Sequence, residues 1–362
     1  MEVEGMLLFS IMDGIGYQKQ QILLNRFPDF AALMNADEKR LRDISVLSEK
    51  DVACILHHQR HPELLTDFRH KMKKEGIGYI SREEKEYPAR LKVLPDPPCG
   101  IFYKGRLPCP KTKQIAMVGA RMCSPYGKKY AAEIAKALVG AGASVISGMA
   151  RGVDGISQEA ALDAGGETFG ILAGGVDQIY PPEHRELYQR ICENGGIISE
   201  YPPGIAPARG MFPRRNRIIS ALAEALIIIE ARAKSGSLIT GDFALEQGKD
   251  IFVLPGRLGD PLSVGCNAYI KQGAGIITSI EELLLELGLS SGKINEEKMK
   301  NNFALEKEDS LVYSCLRLVP KTLEELLEET KLPLLAVIES AQRLTDFGLA
   351  EEVYKNQYSR SR

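Results

Sequence analysis

Seven short apolar runs constrain this chain more than any other feature of it. KQIAMVGA, ASVISG, ETFGILAGG, GGIISE, ALIIIEA, DIFVLPG and AGIITS follow one another from residue 113 onwards, each closed by a small or polar residue. Segments of helical length and amphipathic pattern separate most of them, among them PYGKKYAAEIAKALVGAG and GISQEAALDAGG. A strand that is apolar along its whole length has both faces buried. Such strands alternating with helices build a parallel sheet covered on either side. Residues 113–287 are therefore expected to form an α/β domain.

At 362 residues the chain exceeds one ordinary domain, and its flanks read differently. Residues 1–70 repeat apolar positions at intervals of three and four, which predicts a helical domain. Within it, GIGYQKQQIL reads as a helix–hairpin–helix turn whose free amides hold a phosphate, or as a plain helix break in a small bundle; the break is the simpler reading. Residues 71–112, dense in proline and glycine, read as a connecting segment leading into the core. Residues 288–308 are polar and suit a linker. Residues 309–362 combine three helical patterns with a terminal LAEEVYKNQYSR that suits a small β-wing, the pattern of a winged helix.

Lys and Arg total 46 against 48 Asp and Glu, so a polyanion can be held only by locally gathered charge. The seven cysteines show no metal-site spacing and predict reduced thiols in a cytoplasmic protein. The start, MEVEGMLLFSIMDG, lacks a basic n-region and a long apolar run, so neither export nor a membrane span is expected.

In an open parallel sheet, ligands sit beyond the carboxyl ends of the strands. Here those ends lead into VGARMCSPYG, SGMARGVDG, AGGVDQIYPPEH, SEYPPGIAPARGMFPRRNR, EARAKSGSLITG and PGRLGDPLSVGCN. Any single glycine there only turns the chain. Taken with Arg121, Arg151, Arg214 and Arg217, the set predicts an anion-binding rim of free amides and guanidinium forks. No G-x-x-x-x-G-K-[ST], no G-x-G-x-x-G after the first strand and no G-x-S-x-G is present, which argues against a Walker NTPase, a dinucleotide enzyme and an α/β hydrolase. No His/Cys/Asp cluster has metal spacing. His184 is the one histidine in the sheet domain, and YPPEHREL reads as a helix start.

The stretch MFPRRNRIIS places Arg214, Arg215 and Arg217 around Asn216, just behind Pro213. Proline suits a first helical turn. Successive helical positions differ by about 100°, so the three arginines cannot share a face. The expectation is that Asn216 and Arg217 face the rim, and that Arg214 or Arg215 points to solvent, a dimer neighbour or the next nucleotide. Ile218, Ile219 and Leu222 anchor the segment to the sheet. The plainer alternative is that these arginines cap helices or pair with Glu200 and Glu230.

Together, VGARMCSPYG, VISGMARGVDGISQEAAL, GILAGGVDQIYP, SEYPPGIAPARGMFPRRNRIIS, SGSLITGDFALEQGKDIFVLPG and GCNAYIKQGA resemble the DNA-processing protein A (DprA/Smf) family. With the lead-in EYPARLKVLPDPPCGIFYKG, the likeness covers essentially the whole chain. It implies an extended Rossmann-like domain, preceded by a SAM-like helical domain and followed by a winged helix. It further implies a cytoplasmic, non-enzymatic homodimer, with no cofactor, metal or catalytic residue. Such a protein binds single-stranded DNA, protects it during natural transformation and loads the RecA recombinase. The G-[SA]-R element falls on Gly119, Ala120 and Arg121, with the arginine as phosphate ligand. S-G-x-A-x-G-[IV]-D falls on Ser147, Gly148, Ala150, Gly152, Val153 and Asp154. F-P-x-R-N-R-I-I starts at Phe212, and S-G-S-L-x-T falls on Ser235, Gly236, Ser237, Leu238 and Thr240. The implied DNA-binding set is Gly119, Arg121, Ser147, Gly148, Arg151, Gly174, Arg214, Asn216, Arg217, Ser235, Gly236 and Ser237.

One element departs from the family pattern. Members often read G-T-G and then Y-P-x-x-N, sometimes with lysine after the proline. Here Ala173, Gly174, Gly175 and YPPEH place Pro182 and His184 at those positions, so a basic contact at 182 is absent. Without tryptophan, base stacking falls to Tyr126, Tyr180, Tyr201 or Phe212, of which Tyr180 is best placed. The stretch from Lys321 to Glu352 is strongly acidic and poorly suited to duplex DNA. Its module is expected to serve protein contacts, with accessory DNA contacts at most through Lys355, Arg360 and Arg362. A competing enzymatic reading, nucleoside-monophosphate phosphoribohydrolase, requires P-G-G-x-G-T-x-x-E where this chain has SGSLITGDFALE. A protein scaffold with a vestigial rim is the other alternative.

Overall fold

The computed structural model describes residues 3–289, 307–316, 320–346, 349–354 and 356–360. The chain divides into two compact units, Met1–Gly292 and Lys293–Arg362. The first opens with six helices: α1 (Val3–Ile11), α2 (Tyr17–Arg26), α3 (Phe30–Met34), α4 (Glu38–Arg42), α5 (Glu49–Arg60) and α6 (Glu63–Lys74). Asp29, Asp37 and Ser48 start three of them by accepting the main-chain N–H three residues on, and Ser48 with Asp51 closes a capping box.

After β1 (Gly78–Ser81), α7 (Ala89–Lys92) and β2 (Gly100–Gly105), strands and helices alternate. They run β3 (Gln114–Val118), α8 (Pro125–Gly140), β4 (Ser144–Ser147), α9 (Val153–Asp163) and β5 (Thr168–Ile171). A 3-10 turn (Pro182–His184) leads into α10 (Arg185–Glu193), β6 (Gly195–Ser199) and α11 (Met211–Leu222). Then come β7 (Ala225–Ile228), α12 (Gly236–Glu246), β8 (Asp250–Val253), α13 (Val264–Lys271), β9 (Gly275–Ile276) and α14 (Ile280–Glu286).

All seven apolar runs are strands, and they pair parallel in the order β6-β5-β4-β3-β7-β8-β9. Alternate residues feed two apolar layers. Ala116 and Val118 pack with Ile218, Ile219 and Leu222 of α11, while Ile115 and Met117 pack with Ile134 and Leu138 of α8. The chain crosses from β3 through β4 and β5 to β6 on one side, then returns past β3 to β7. The order therefore reverses between β3 and β7, and a crevice opens there beyond the strand ends.

Two expectations need correction. Residues 71–112 are more than a connection: β2 pairs antiparallel with β6 and β1 with β2, which widens the sheet to nine strands. The glycine that opens each of these strands and the proline-rich stretch between them hide the pattern in the sequence. The helical segment runs to Lys74 and shares its core with the sheet. Leu7 packs in one cluster with Phe102, and the Cys99 thiol lies 3.4 Å from the Met6 carbonyl oxygen. It is therefore one unit with the sheet, not a domain of its own. Most of the 288–308 linker lies outside the described residues.

The second unit has helices Lys307–Cys315, Leu323–Thr330 and Leu334–Asp346, and an antiparallel sheet of order β10-β12-β11 from Lys321–Thr322, Gln357–Arg360 and Ala350–Tyr354. Val312, Leu326, Val337, Leu344 and Tyr358 form its core. Lys355 and Arg362 lie outside the described residues. No described helix is long and apolar enough to cross a membrane.

Candidate nucleic-acid interface

The loop from β4 to α9 is fixed atom by atom. Asp154 accepts the N–H of Gly148 at 3.2 Å and of Ala150 at 3.4 Å, and Arg215 donates to the Gly148 oxygen at 2.7 Å. Gln158 accepts the Met149 N–H at 3.2 Å, and His184 Nδ1 donates to the Met149 oxygen at 3.0 Å. Two glycines are required sterically. A Cβ at Gly148 would fall 2.7 Å from the Arg215 guanidinium, and one at Gly152, where φ is 74°, would fall 2.2 Å from the Ala120 oxygen. The loop ends of β3 and β4 are thereby brought together.

Beneath them two opposite charges, Arg215 and Asp154, are buried close together without pairing directly. Arg215, 5% exposed, also donates to the Ile171 oxygen at the end of β5. Burial pushes its pKa down to about 10, against the pull of Asp154 and with the push of nearby Arg121. Burial likewise pushes the Asp154 carboxyl upward, opposed by Arg215 and by the two amide donors. At about 10 the Arg215 value keeps its guanidinium charged at neutral pH.

Arg121 is exposed, and no carboxylate lies within ion-pair distance of it among the described residues. Its guanidinium sits 5.5 Å from the centroid of the Phe212 ring, and Phe212 lies 5.6 Å from Tyr180, which is 42% exposed. Tyr180, Phe212, Gly148, Gly174, Arg121 and Arg151 border a narrow recess of about 20 Å³ with Arg215 at its floor. Arg121 also borders a larger cleft of about 370 Å³ at the switch between β3 and β7, facing Asn216, Arg232, Lys234, Ser235 and Ser237. Ser235 caps α12 and Asn216 Nδ2 donates to the Gly236 oxygen at 3.2 Å, so the α12 N-terminus is held open to the cleft.

The structure gathers Gly119, Arg121, Gly148, Arg151, Gly174, Asn216, Ser235, Gly236 and Ser237 at these two openings. It does not bring Arg217 there. Arg217 is 4% exposed, donates to Glu200 Oε1 at 2.6 Å and lies 3.4 Å from Asp96. Positions 215 and 217 are about 200° apart on α11, so the face that sends Arg215 under the rim turns Arg217 away. The plainer alternative, pairing with Glu200, thus holds for Arg217. Glu230 instead accepts the Ser124 N–H at 2.8 Å and anchors the start of α8. Arg214 points to solvent, as one of the expectations had it, 3.9 Å from Glu200. Ser147 is fully buried and turns its hydroxyl to the Met117 oxygen inside the sheet. Exposed Arg151 pairs with Glu183. Tyr126 hydrogen-bonds to the Pro255 oxygen at 3.2 Å, away from the recess.

Arg215, which the sequence offered as an alternative to Arg214 for the outward position, is buried instead, and Arg232 and Lys234 were passed over. The signal for the last two was present in EARAKSGS, where both cations precede a capped helix after a strand.

A family model described as DNA recombination-mediator protein A matches residues 78–288. The DNA processing protein DprA of Bacillus subtilis (strain 168) is 40% identical over 227 residues, 62% of this chain and 75% of that protein. Protein Smf of Escherichia coli (strain K12) is 40% identical over 213 residues, 58% of this chain and 57% of that one. Among solved structures, DNA processing protein A of Streptococcus pneumoniae superposes with a TM-score of 0.68 at 31% identity, covering 79% of this chain and 99% of that one. A structure concerned with the single-stranded DNA binding mode of DNA processing protein A from Helicobacter pylori gives a TM-score of 0.52 at 34% identity, covering 58% and 95%.

Proposed function

This chain belongs to the DNA recombination-mediator protein A family, and on that premise we propose that it binds single-stranded DNA across the carboxyl edge of its sheet and delivers it to the RecA recombinase during recombination and natural transformation. It acts as a cytoplasmic homodimer that holds the strand without chemistry on it. The observation that carries this reading is the unpaired Arg121 beside the Phe212–Tyr180 pair. Nonspecific single-strand binding combines a cationic track for phosphates with aromatic faces for bases, and here one side chain of each kind shares one recess. Phosphates meet Arg121, Arg151, Arg232, Lys234 and the α12 amides around Ser235, Gly236 and Ser237; a base lies on Tyr180. The second unit, with helices Leu323–Thr330 and Leu334–Asp346 and the β11–β12 hairpin, serves as an acidic winged helix for protein contacts.

The test is anisotropy titration with single- and double-stranded oligonucleotides of equal length at two salt concentrations. Preference for the single strand, weakened by salt, is expected. No binding even in dilute buffer refutes the reading, and release of adenine from AMP would replace it with an enzyme.

A further inference from the structure

A third cleft, of about 530 Å³, opens between the α1–α2 turn and the loop from β6 to α11. It adjoins the rim. Met211 and Arg214 face it while Phe212 faces the narrow recess, and Ile205 lines it while Pro207 lines the recess. A strand lying on Tyr180 and Phe212 has only the segment 205–212 to cross before reaching it.

Its chemistry differs from that of the rim. The walls are mostly apolar and include Tyr17 and Tyr201. Gln20, also in the wall, is 5% exposed; its amide nitrogen donates to the Ile15 oxygen at 2.8 Å, and its Oε1 has no hydrogen-bond partner among the described residues. Buried acceptors are rarely left without a donor. At the mouth, half-exposed Arg214 has, among the described residues, only its long contact with Glu200, whose other oxygen is taken by Arg217. Exposed Asp13 lines the mouth too, so Asp13 and Glu200 offset Arg214 and the cleft does not gather backbone phosphates by charge.

We propose that this cleft is a further subsite for the same strand and takes one unpaired nucleobase. The ring packs on the tyrosine-bearing wall, and an N–H of its pairing edge goes to Gln20 Oε1. The volume lies within the range of about 300–1,000 Å³ usual for small-ligand sites. A base in a duplex spends that N–H on its complement, so the subsite selects unpaired strand by hydrogen bonding rather than by charge. The proposal rests on the single-strand reading above.

The experiment is anisotropy on the full chain with oligothymidylates of increasing length, each also made with one terminal base removed, at either end. Reaching the cleft is expected to raise affinity about tenfold, as for one stacked base, and removal of the terminal base to cancel the gain. Ile205→Trp, at a side chain 39% exposed in the cleft wall, should abolish both effects and leave the shortest oligonucleotides bound as before. Gln20→Leu should abolish the effect of the base, with thermal unfolding confirming that the variant folds. A gain in affinity that survives in Ile205→Trp, or a terminal base that counts for nothing in the wild type, overturns the subsite while the rim reading stands. Failure of the wild type to bind any oligonucleotide takes both down.

Discussion

His184 donates through Nδ1 to the main-chain oxygen of Met149, so the turn after β5 holds the loop after β4 across the recess. Met149 is buried with φ at 52°, a conformation that a side-chain-bearing residue keeps only where its surroundings fix it. The family resemblance places asparagine where this chain has His184, and either residue supplies an N–H. His184→Ala should therefore weaken single-strand affinity about five- to tenfold through a looser recess, whereas His184→Asn retains it. Anisotropy with short oligonucleotides decides; equal losses in the two variants would show that ring packing matters and the hydrogen bond does not.

Arg121 borders both rim openings and has no carboxylate within ion-pair distance among the described residues. Arg121→Ala should flatten the dependence of log affinity on log salt by about 0.7, one phosphate contact on a single strand, with an unchanged unfolding midpoint. Arg121→Lys should keep the slope and lose part of the affinity, because a point charge stacks less well on Phe212. A salt titration of the three proteins separates charge from stacking.

Arg215 and Asp154 are both buried, so removing one charge strands the other. Arg215→Met should cost about 3–5 kcal/mol of stability. Arg215→Met with Asp154→Asn should cost less than the sum of the two single changes, measured by urea unfolding. Strict additivity would mean that the two groups do not compensate one another.

The second unit has its own apolar core and an acidic stretch from Lys321 to Glu352. A chain ending at Gly292 should keep single-strand affinity within about threefold, since the cationic groups proposed to grip phosphate all lie before that point. Loss of most binding would move the principal DNA surface into the second unit.

The parallel sheet was legible because strands buried on both faces announce themselves as unbroken apolar runs. The rim was legible in outline, since glycines and cations follow those runs. The assignment within MFPRRNRIIS was not. A sequence gives the 100° step of a helix but not the angle at which the helix meets its sheet, and that angle alone sends Arg215 under the rim and Arg217 to Glu200. β1 and β2 were missed because Ile80 and Ile101 join the main core while Tyr79 and Phe102 face the α1 side, and nothing nearby in sequence marks that second cover.

That cover has a practical corollary. Because Met6 and Leu7 close over Cys99 and Phe102, a fragment trimmed to residues 78–288, the range the family model matches, would leave a wet apolar scar along β1 and β2. The opening helices are thus a sealing layer of the sheet, and a trimmed fragment should tend to clump in solution through the face they normally shield.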